Sequence, residues 1–553
     1  MIEENTINTD ILIVGAGPAG LSTAIHLANL LKKEGLKKRI LLIEKGSSVG
    51  SHTLSGAVLR PAIFKELLPE IKFEDIPFDS PVKKDKLLLL SKSKFIKSPM
   101  HPPYMSNKGA YIASLGLLCQ FLAKIAEGKG VEIYSGFAVS EVIYNEKGKI
   151  CGAKTIDTGV NHHGEKLPNF QVGTTIKADL TIFAEGSRGN LTKEIINKFE
   201  LQKDKNPQIY SLGCKEVWSV PEANIKQGEV FHTMGYPFNL KEFGGGFIYG
   251  LSNSRVAVGL VVGLDYADPT FDVYKAFQVW KQHPAVAKKL KGGKMISFGA
   301  KTLPEGGYYS LPKLYVDNAM IVGDAAGFIT MPALKGIHLT IKSGMLAAET
   351  ALKAFINNDF SEKTLKIYEE KINSSFIYKE MYPVRNFRQG FARGLIKGSF
   401  HFGTQILTCG AGIFGKLKVH SDADATKKLK DFSGKIFKDR FKDKLEFDKE
   451  LTFDKMTAVF HSGTHHDEDQ VCHLKINNIE SFKTVNIEQF DASCQYFCPA
   501  EVYEIHIDKD GNRNLRIHSE NCLHCKTCDI KEVGDGIIWK VPNGDNGPEY
   551  QNM

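Results

Sequence analysis

Four cysteines toward the C-terminus have the type and spacing to hold a redox cluster. Cys522, Cys525 and Cys528 form C-x2-C-x2-C, and Cys498, followed by Pro499, lies upstream. Three thiolates at this spacing wrap one iron–sulfur cubane, and a Cys-Pro from elsewhere in the chain completes it. Zinc would more often use two separated C-x2-C pairs, so the pattern favours [4Fe–4S]. Cys494, four positions before Cys498, competes for the fourth place, and spacing alone leaves both open. The hydroxyls of Tyr503 and Thr527 are close in sequence to these cysteines and could hydrogen-bond sulfur and raise the potential, although either also reads as an ordinary polar residue.

A second group of residues binds phosphate. Gly15-Ala16-Gly17-Pro18-Ala19-Gly20 follows the apolar run Ile11–Val14, and Leu21, Ala24, Ile25, Ala28 and Leu31 then recur at helical spacing. Gly15 permits the tight turn, Gly17 admits a pyrophosphate to the backbone, and Gly20 lets helix and strand pack closely. The pyrophosphate would rest on the helix N-terminus. Ile40–Ile43 supplies the next strand and ends in Glu44, an acid able to bind both ribose hydroxyls, which favours FAD or NAD over NADP. Two later strand-then-glycine segments select FAD: Leu180–Phe183 running into Gly186, and Ala319–Val322 running into Gly323-Asp324-Ala325-Ala326-Gly327. Asp324 can hold a ribityl hydroxyl. The helix opening at Gly336 would present its N-terminus to the flavin N1/C2 edge and stabilise the reduced anion.

These elements need a large scaffold. At 553 residues the chain has room for about three or four units of ordinary size. Hydrophobic residues at 42% and charged residues at 24% describe a globular protein, not a disordered or fibrous one. No apolar run reaches a spanning length, and a net charge of +8 spread along the chain argues against nucleic acid. The acidic start, with Glu3 and Glu4, lacks a signal or transit pattern, so the chain is expected to remain where it is made, and a reducing compartment suits ten cysteines that are buried or metal-bound. Flavin with one cubane joins one-electron to two-electron chemistry.

Other segments carry weaker signals. From Met381 to Ser421 there are six basic residues (Arg385, Arg388, Arg393, Lys397, Lys416, Lys418) and no acid, interleaved with Phe387, Phe391, Phe400, Phe402 and Leu407. That composition predicts a basic amphipathic segment on a membrane surface. Ile63, Phe64, Leu67, Leu68 and Ile71 form an apolar stripe that reads as a core-facing helix. Gly244-Gly245-Gly246 before Phe247 would let a flat ligand touch backbone, or mark a strand bulge. His461, His465 and His466 beside Asp467, Glu468 and Asp469 read as a hydrogen-bonded loop in preference to a metal site. The alternating charges of 427–444 read as solvated surface, and Cys119, Cys151, Cys214, Cys409 and Cys472 as buried thiols.

Taken together, Gly15–Gly20, His52–Ala57, Gly244-Gly245 with Phe247–Tyr249, Val261–Tyr266, Cys498–Ala500 with Val502–Glu504, and Asn521–Lys531 resemble the electron-transfer flavoprotein:ubiquinone oxidoreductase family from about residue 10 onward. The resemblance implies an α/β (α+β mixed) fold: a Rossmann-like FAD domain of the glutathione-reductase type, an interleaved quinone-binding domain and a C-terminal ferredoxin-like [4Fe–4S] domain. It divides the chain into FAD-binding parts at 1–80, 106–200 and 301–380, quinone parts at 81–105 and 201–300, the membrane-surface segment at 381–421 and the iron–sulfur domain at 422–553. It selects Cys498 over Cys494 as the fourth ligand, places ubiquinone or menaquinone at Gly244 and Gly245, and assigns Leu54 to about Asp75 to a membrane-dipping segment. The Gly323–Gly327 motif departs from the Cys-containing version of the family.

The implied activity is a relay in respiratory electron transport. Reduced electron-transfer flavoprotein docks near the cluster domain and ubiquinol leaves into the bilayer, with the enzyme monotopic on the inner membrane (cytoplasmic face in bacteria, matrix face in mitochondria). Two alternatives stand beside it. One is a geranylgeranyl-reductase-like flavoprotein fed by a ferredoxin-like partner, and the other a flavin-hydroxylase fold with a structural zinc knuckle.

Overall fold

The structure, a computed structural model, describes residues 5–99, 103–392, 394–408, 410, 412, 415–442, 445–550 and 553. Two large sheets organise it. The first has eight strands and is built from distant pieces of chain: Tyr315–Val316, Ala319–Ile321, Thr175–Phe183, Thr6–Val14, Ile40–Ile43 and Glu132–Tyr134 in spatial order, with Val139–Tyr144 and Ile150–Thr155 attached at one side. Its centre is parallel, with Ile11 level with both Leu180 and Ile40. Ile11, Leu12 and Ile13 are buried, as expected where helices cover both faces of a parallel sheet.

Helix Pro18–Lys33 begins with Pro18, whose missing N–H costs nothing at a first-turn position, and closes with Lys32 and Lys33 against its negative end. It packs on helix Ile337–Asn357. Their approach is so close that a Cβ on Gly344 would lie 2.4 Å from Ser22 Oγ and 2.5 Å from the carbonyl oxygen of Ala19. The stripe Ile63, Phe64, Leu67 and Leu68 falls in and just after helix Ala62–Leu67 and is buried in the same core. The core-facing reading of that stripe therefore holds here.

The second sheet has seven strands, in the order Lys294–Pro304, Tyr210–Ser219, Arg255–Gly263, Gly244–Leu251, Glu229–Gly235, Lys84–Leu90 and Phe95–Lys97. Strand Gly244–Leu251 pairs with Arg255–Gly263 without a register shift, so the three glycines make no bulge. Helix Val273–Lys281 lies behind the sheet and buries Trp280 and Lys281, whose ammonium meets Glu216 at 2.9 Å. The C-terminal region adds the hairpin of Tyr503–Ile507 with Arg513–Ile517 and the pair of Leu474–Ile476 with Ile537–Trp539. Phe298, Trp218, Cys498 and Trp539 belong to one continuous core, which joins this region to the second sheet.

Between these units the acid-free segment folds into helices Phe387–Phe391 and Leu395–Leu407. The second helix is inverted: Gly398, His401 and Gln405 face inward, while Ile396 and Phe400 are each 70% exposed and Leu407 85%. Two of the six basic residues do not face outward. Arg385 stacks on Tyr382 at 3.9 Å, and Arg388 donates to Glu305 Oε2 at 2.9 Å and Asp265 Oδ2 at 3.0 Å. Lys397, Lys416 and Lys418 remain exposed, and Arg393 and Cys409 lie outside the described residues. Arg388→Met would strand two carboxylates, one of them fully buried, and is expected to cost about 3–5 kcal/mol, measured as a lower urea midpoint.

Candidate functional site

A cavity of about 350 Å³ lies between the two sheets. From the first sheet it is lined by Gly17, Ala19, Gly186, Asp324 and Gly336, and from the second by Gly244, Gly245, Phe247 and Tyr249. The dinucleotide end has the shape its ligand requires. A Cβ on Gly15 would sit 2.5 Å from the Ala184 carbonyl oxygen and one on Gly20 2.0 Å from that of Gly15, so both glycines close the turn. Gly17 and Gly186 instead face open space: a Cβ at either would meet nothing within 4 Å. The residues therefore fit a pyrophosphate and the groups beyond it.

Glu44 sits at the strand tip, where its carboxylate accepts the N–H groups of Ala16 and Gly46 at 2.9 Å each. Asp324 accepts the Thr340 hydroxyl at 3.1 Å, and burial raises its pKa above the usual carboxylate range. Gly336 caps helix Ile337–Asn357 with no side-chain cap bond, leaving that N-terminus at the cavity.

At the other end, Gly244 is confined by packing as well as by the cavity: a Cβ there would meet Val261 O at 2.6 Å and the Phe238 ring at 2.7 Å. Gly245 would meet Thr233 O at 2.7 Å. Two polar pairs missed in the sequence also reach the wall. His232 Nε2 lies 3.1 Å from the Tyr249 hydroxyl, and Lys335 donates to Asn107 Oδ1 at 2.6 Å. Asn107 Nδ2 is buried and has no partner among the described residues, and burial holds the Lys335 ammonium down at about 8. Nothing local in the sequence marks these groups, because their partners come from separate segments.

Behind the cavity, Cys498, Cys522, Cys525 and Cys528 are all buried and lie within electrostatic reach of one another. Cys498 feels Cys525, and Cys522 feels both; Cys494 is fully buried beside Glu532, Cys498 and Cys528. Thiolates on one zinc would be about 3.8 Å apart. Among the described residues, the group whose ligand atoms draw within 4.8 Å of each other is His466, His473 and His524, and the cysteines are not drawn in that far. The wider setting suits a cubane. The Thr527 hydroxyl lies 3.3 Å from Cys525 Sγ, and the Tyr503 hydroxyl, buried with no hydrogen-bond partner among the described residues, is a neighbour of Cys528. Of the three histidines singled out in sequence, only His466 turns inward. His461 lies near Ile296 O on the surface, and His465 bridges to Gly547.

The cysteine loop is tied to the dinucleotide loop. Asp529 accepts Arg188 Nε and Lys193 Nζ at 2.7 Å each, and Lys526 donates to the Arg188 carbonyl at 2.9 Å. Thr302, from the second sheet, donates to the Cys525 carbonyl at 2.8 Å and lies 3.1 Å from Ser187 Oγ. Lys301 stands between the two regions, with Cys525, Glu44 and Asp324 among its charged neighbours, and burial lowers its pKa.

Comparison with known proteins agrees with these three regions. Residues 449–551 match the family model "Electron transfer flavoprotein-ubiquinone oxidoreductase, 4Fe-4S", 210–303 "ETF-QO, ubiquinone-binding" and 10–75 "FAD dependent oxidoreductase". The chain is 41% identical to the mitochondrial electron transfer flavoprotein-ubiquinone oxidoreductase of Dictyostelium discoideum, over 98% of this chain and 91% of that protein. It is 38% identical to the human protein of the same name, over 98% and 89%. A geranylgeranyl bacteriochlorophyll reductase-like protein of Thermoplasma acidophilum shares the fold, with TM-score 0.55 and 20% identity over 73% of this chain and 92% of that one.

Proposed function

Because this chain belongs to the electron transfer flavoprotein–ubiquinone oxidoreductase family, we infer that it carries electrons from reduced electron transfer flavoprotein to ubiquinone. The observation that carries the reading is the single cavity shared by a dinucleotide end and a second-sheet end, with four buried cysteines behind it. When bound, FAD and a [4Fe–4S] cluster supply the exchange between singly delivered electrons and two-electron quinone reduction.

In this reading Cys498, Cys522, Cys525 and Cys528 hold the cluster, with Tyr503 and Thr527 as hydrogen-bond donors. Gly15, Gly17, Gly20 and Gly186 admit the pyrophosphate, Glu44 takes the ribose hydroxyls, Asp324 a ribityl hydroxyl, and Gly336 opens the helix toward the flavin ring. Gly244 and Gly245 offer backbone to the quinone. Helix Leu395–Leu407 rests its exposed face in the membrane surface; Phe391 and Leu395 line the cavity beside it, so a lipid-borne quinone has an apolar way in. No described helix is long and apolar enough to span. Electron transfer flavoprotein would dock on the cysteine-bearing region.

Quinone reduction also consumes two protons, and Lys335 can return one from the cavity wall. Its role requires the protonated form, so turnover is expected to fall as pH rises through about 8. Lys335→Met should slow turnover and flatten that alkaline limb; a limb unchanged in the variant removes Lys335 from this role. The reading as a whole is tested on anaerobically purified protein by quantifying iron, zinc and FAD, recording low-temperature EPR, and assaying ubiquinone reduction by reduced electron transfer flavoprotein. About four irons and one FAD with quinone reduction are expected. Zinc in place of iron, or no quinone reduction by the loaded protein, would sink it.

A further inference from the structure

We propose that His338 is the second proton donor of the cavity, and that Glu380, anchored by Arg60, positions its ring and links it to solvent. The proposal rests on the reading that quinone is reduced in this cavity. Quinone takes up two electrons and two protons, and Lys335 accounts for only one of the protons.

Segments far apart in sequence assemble this group. His338 is the second residue of helix Ile337–Asn357 and lines the cavity, while Glu380 lies in helix Phe376–Met381. His338 Nε2 is 2.9 Å from Glu380 Oε2, and Arg60 Nη1 donates to Glu380 Oε1 at 2.7 Å. The imidazole also lies parallel to the Phe376 ring, with centroids 6.0 Å apart, so its orientation is fixed by packing as well as by the carboxylate. Exposure rises outward along the group: the side chains of His338, Glu380 and Arg60 are 5%, 25% and 41% exposed. Water therefore reaches the carboxylate but hardly the ring. By contrast, both members of the His232–Tyr249 pair on the second-sheet wall are buried.

The arrangement suits an imidazole that gives up a proton and regains it. A carboxylate on Nε2 fixes that nitrogen as an N–H and stabilises the doubly protonated ring. That leaves Nδ1, which has no hydrogen-bond partner among the described residues, to carry the proton that is given up. In the step, the Nδ1–H bond breaks, its electron pair stays on nitrogen, and the proton forms an O–H bond on the reduced quinone, directly or across one water. The two electrons are those the relay supplies, so the imidazole changes charge but not oxidation state. Solvent at Glu380 returns the proton to the ring, and the Arg60 guanidinium keeps the carboxylate ionised. Lys335, three residues before His338, donates to Asn107 Oδ1, and the Asn107 backbone N–H donates to Asp85 Oδ2 at 2.9 Å. The two donors of this wall therefore belong to separate hydrogen-bond networks, one ending on Asp85 and the other on Glu380.

The test compares two electron acceptors in stopped flow, on anaerobically reduced holoenzyme with FAD and iron counted on each sample. A short-chain ubiquinone takes up protons with its electrons, whereas ferricenium takes an electron and no proton. His338→Gln keeps a polar side chain but cannot carry the proton. It is expected to slow reoxidation by quinone about a hundredfold and to leave reoxidation by ferricenium unchanged. Glu380→Gln should slow the quinone reaction by a smaller factor, again without affecting ferricenium. A quinone rate unchanged in His338→Gln overturns the proposal, as does an equal loss with both acceptors, which would assign His338 to flavin positioning instead. If His338→Gln loses FAD, Glu380→Gln decides: a loss confined to quinone supports the donor, and any other outcome overturns it. Wild-type protein that reduces ferricenium but not quinone would overturn the underlying reading of the cavity instead.

Discussion

Cys525→Ser is expected to yield a protein that retains FAD but holds little iron, gives no cubane EPR signal, and reduces ubiquinone from electron transfer flavoprotein roughly a hundredfold more slowly or worse. Cys525 is the right position to change because it lies at the junction. Its sulfur faces Thr527, its carbonyl is held by Thr302, and its charge is felt by Cys498, Cys522 and Lys301. Losing one of the four proposed ligands would open the site to water and to cluster decay. FAD should remain, since the residues proposed to hold it, Gly15, Glu44 and Asp324, belong to the first sheet and its loops. Iron, FAD and anaerobic turnover measured on one preparation check this. Full turnover without iron would show that electrons enter without the cluster.

The second large effect is expected at the exposed helix. Changing Ile396, Phe400 and Leu407 together to glutamate should abolish association with phospholipid vesicles. Burying a large apolar side chain is worth about 1.5–3 kcal/mol, and shallow insertion yields about half of that, so three side chains supply about 3 kcal/mol. At 1.4 kcal/mol per decade this is at least a hundredfold in partitioning. Lys397, Lys416 and Lys418, left in place, would supply only attraction that salt weakens. The triple variant should still reduce a water-soluble short-chain quinone, because none of the three residues lines the cavity. Cosedimentation with vesicles at two salt concentrations is the measurement. Undiminished binding would move the membrane contact to another face.

How far this could be read before the fold was known depended on how local each feature is. Cys522, Cys525 and Cys528 declare their chemistry because three ligands share one loop, and Gly15–Gly20 does so because strand, turn and helix are consecutive. Lys335 gave no sign, since its meaning depends on Asn107, which meets it only after separate segments assemble. The basic segment misled in part. Arg388 counts as surface charge in a composition, yet it is spoken for by Asp265 and Glu305, residues 123 and 83 positions away. The same limit hid the inverted helix: a pattern shows two faces to Leu395–Leu407, but His401 and Gln405 point inward only because of what lies beneath them. Gly244 looked like a ligand contact, and the Phe238 ring is a second reason for it that spacing could not show.

The order of strands in the first sheet has a consequence during synthesis. Thr6–Val14 finds Thr175–Phe183 only after about 170 residues have followed it, and the sheet gains Ala319–Ile321 about 140 residues later. At 5–20 residues per second, roughly 15–60 s separate the first strand from the last parallel one. Through that interval the strand has Ile40–Ile43 on one side, while the other edge of the growing sheet has a next partner that does not yet exist, a form prone to wrong pairing. The rate of translation thus sets how long this surface stays open, and a slower ribosome lengthens the chain's dependence on a holding chaperone.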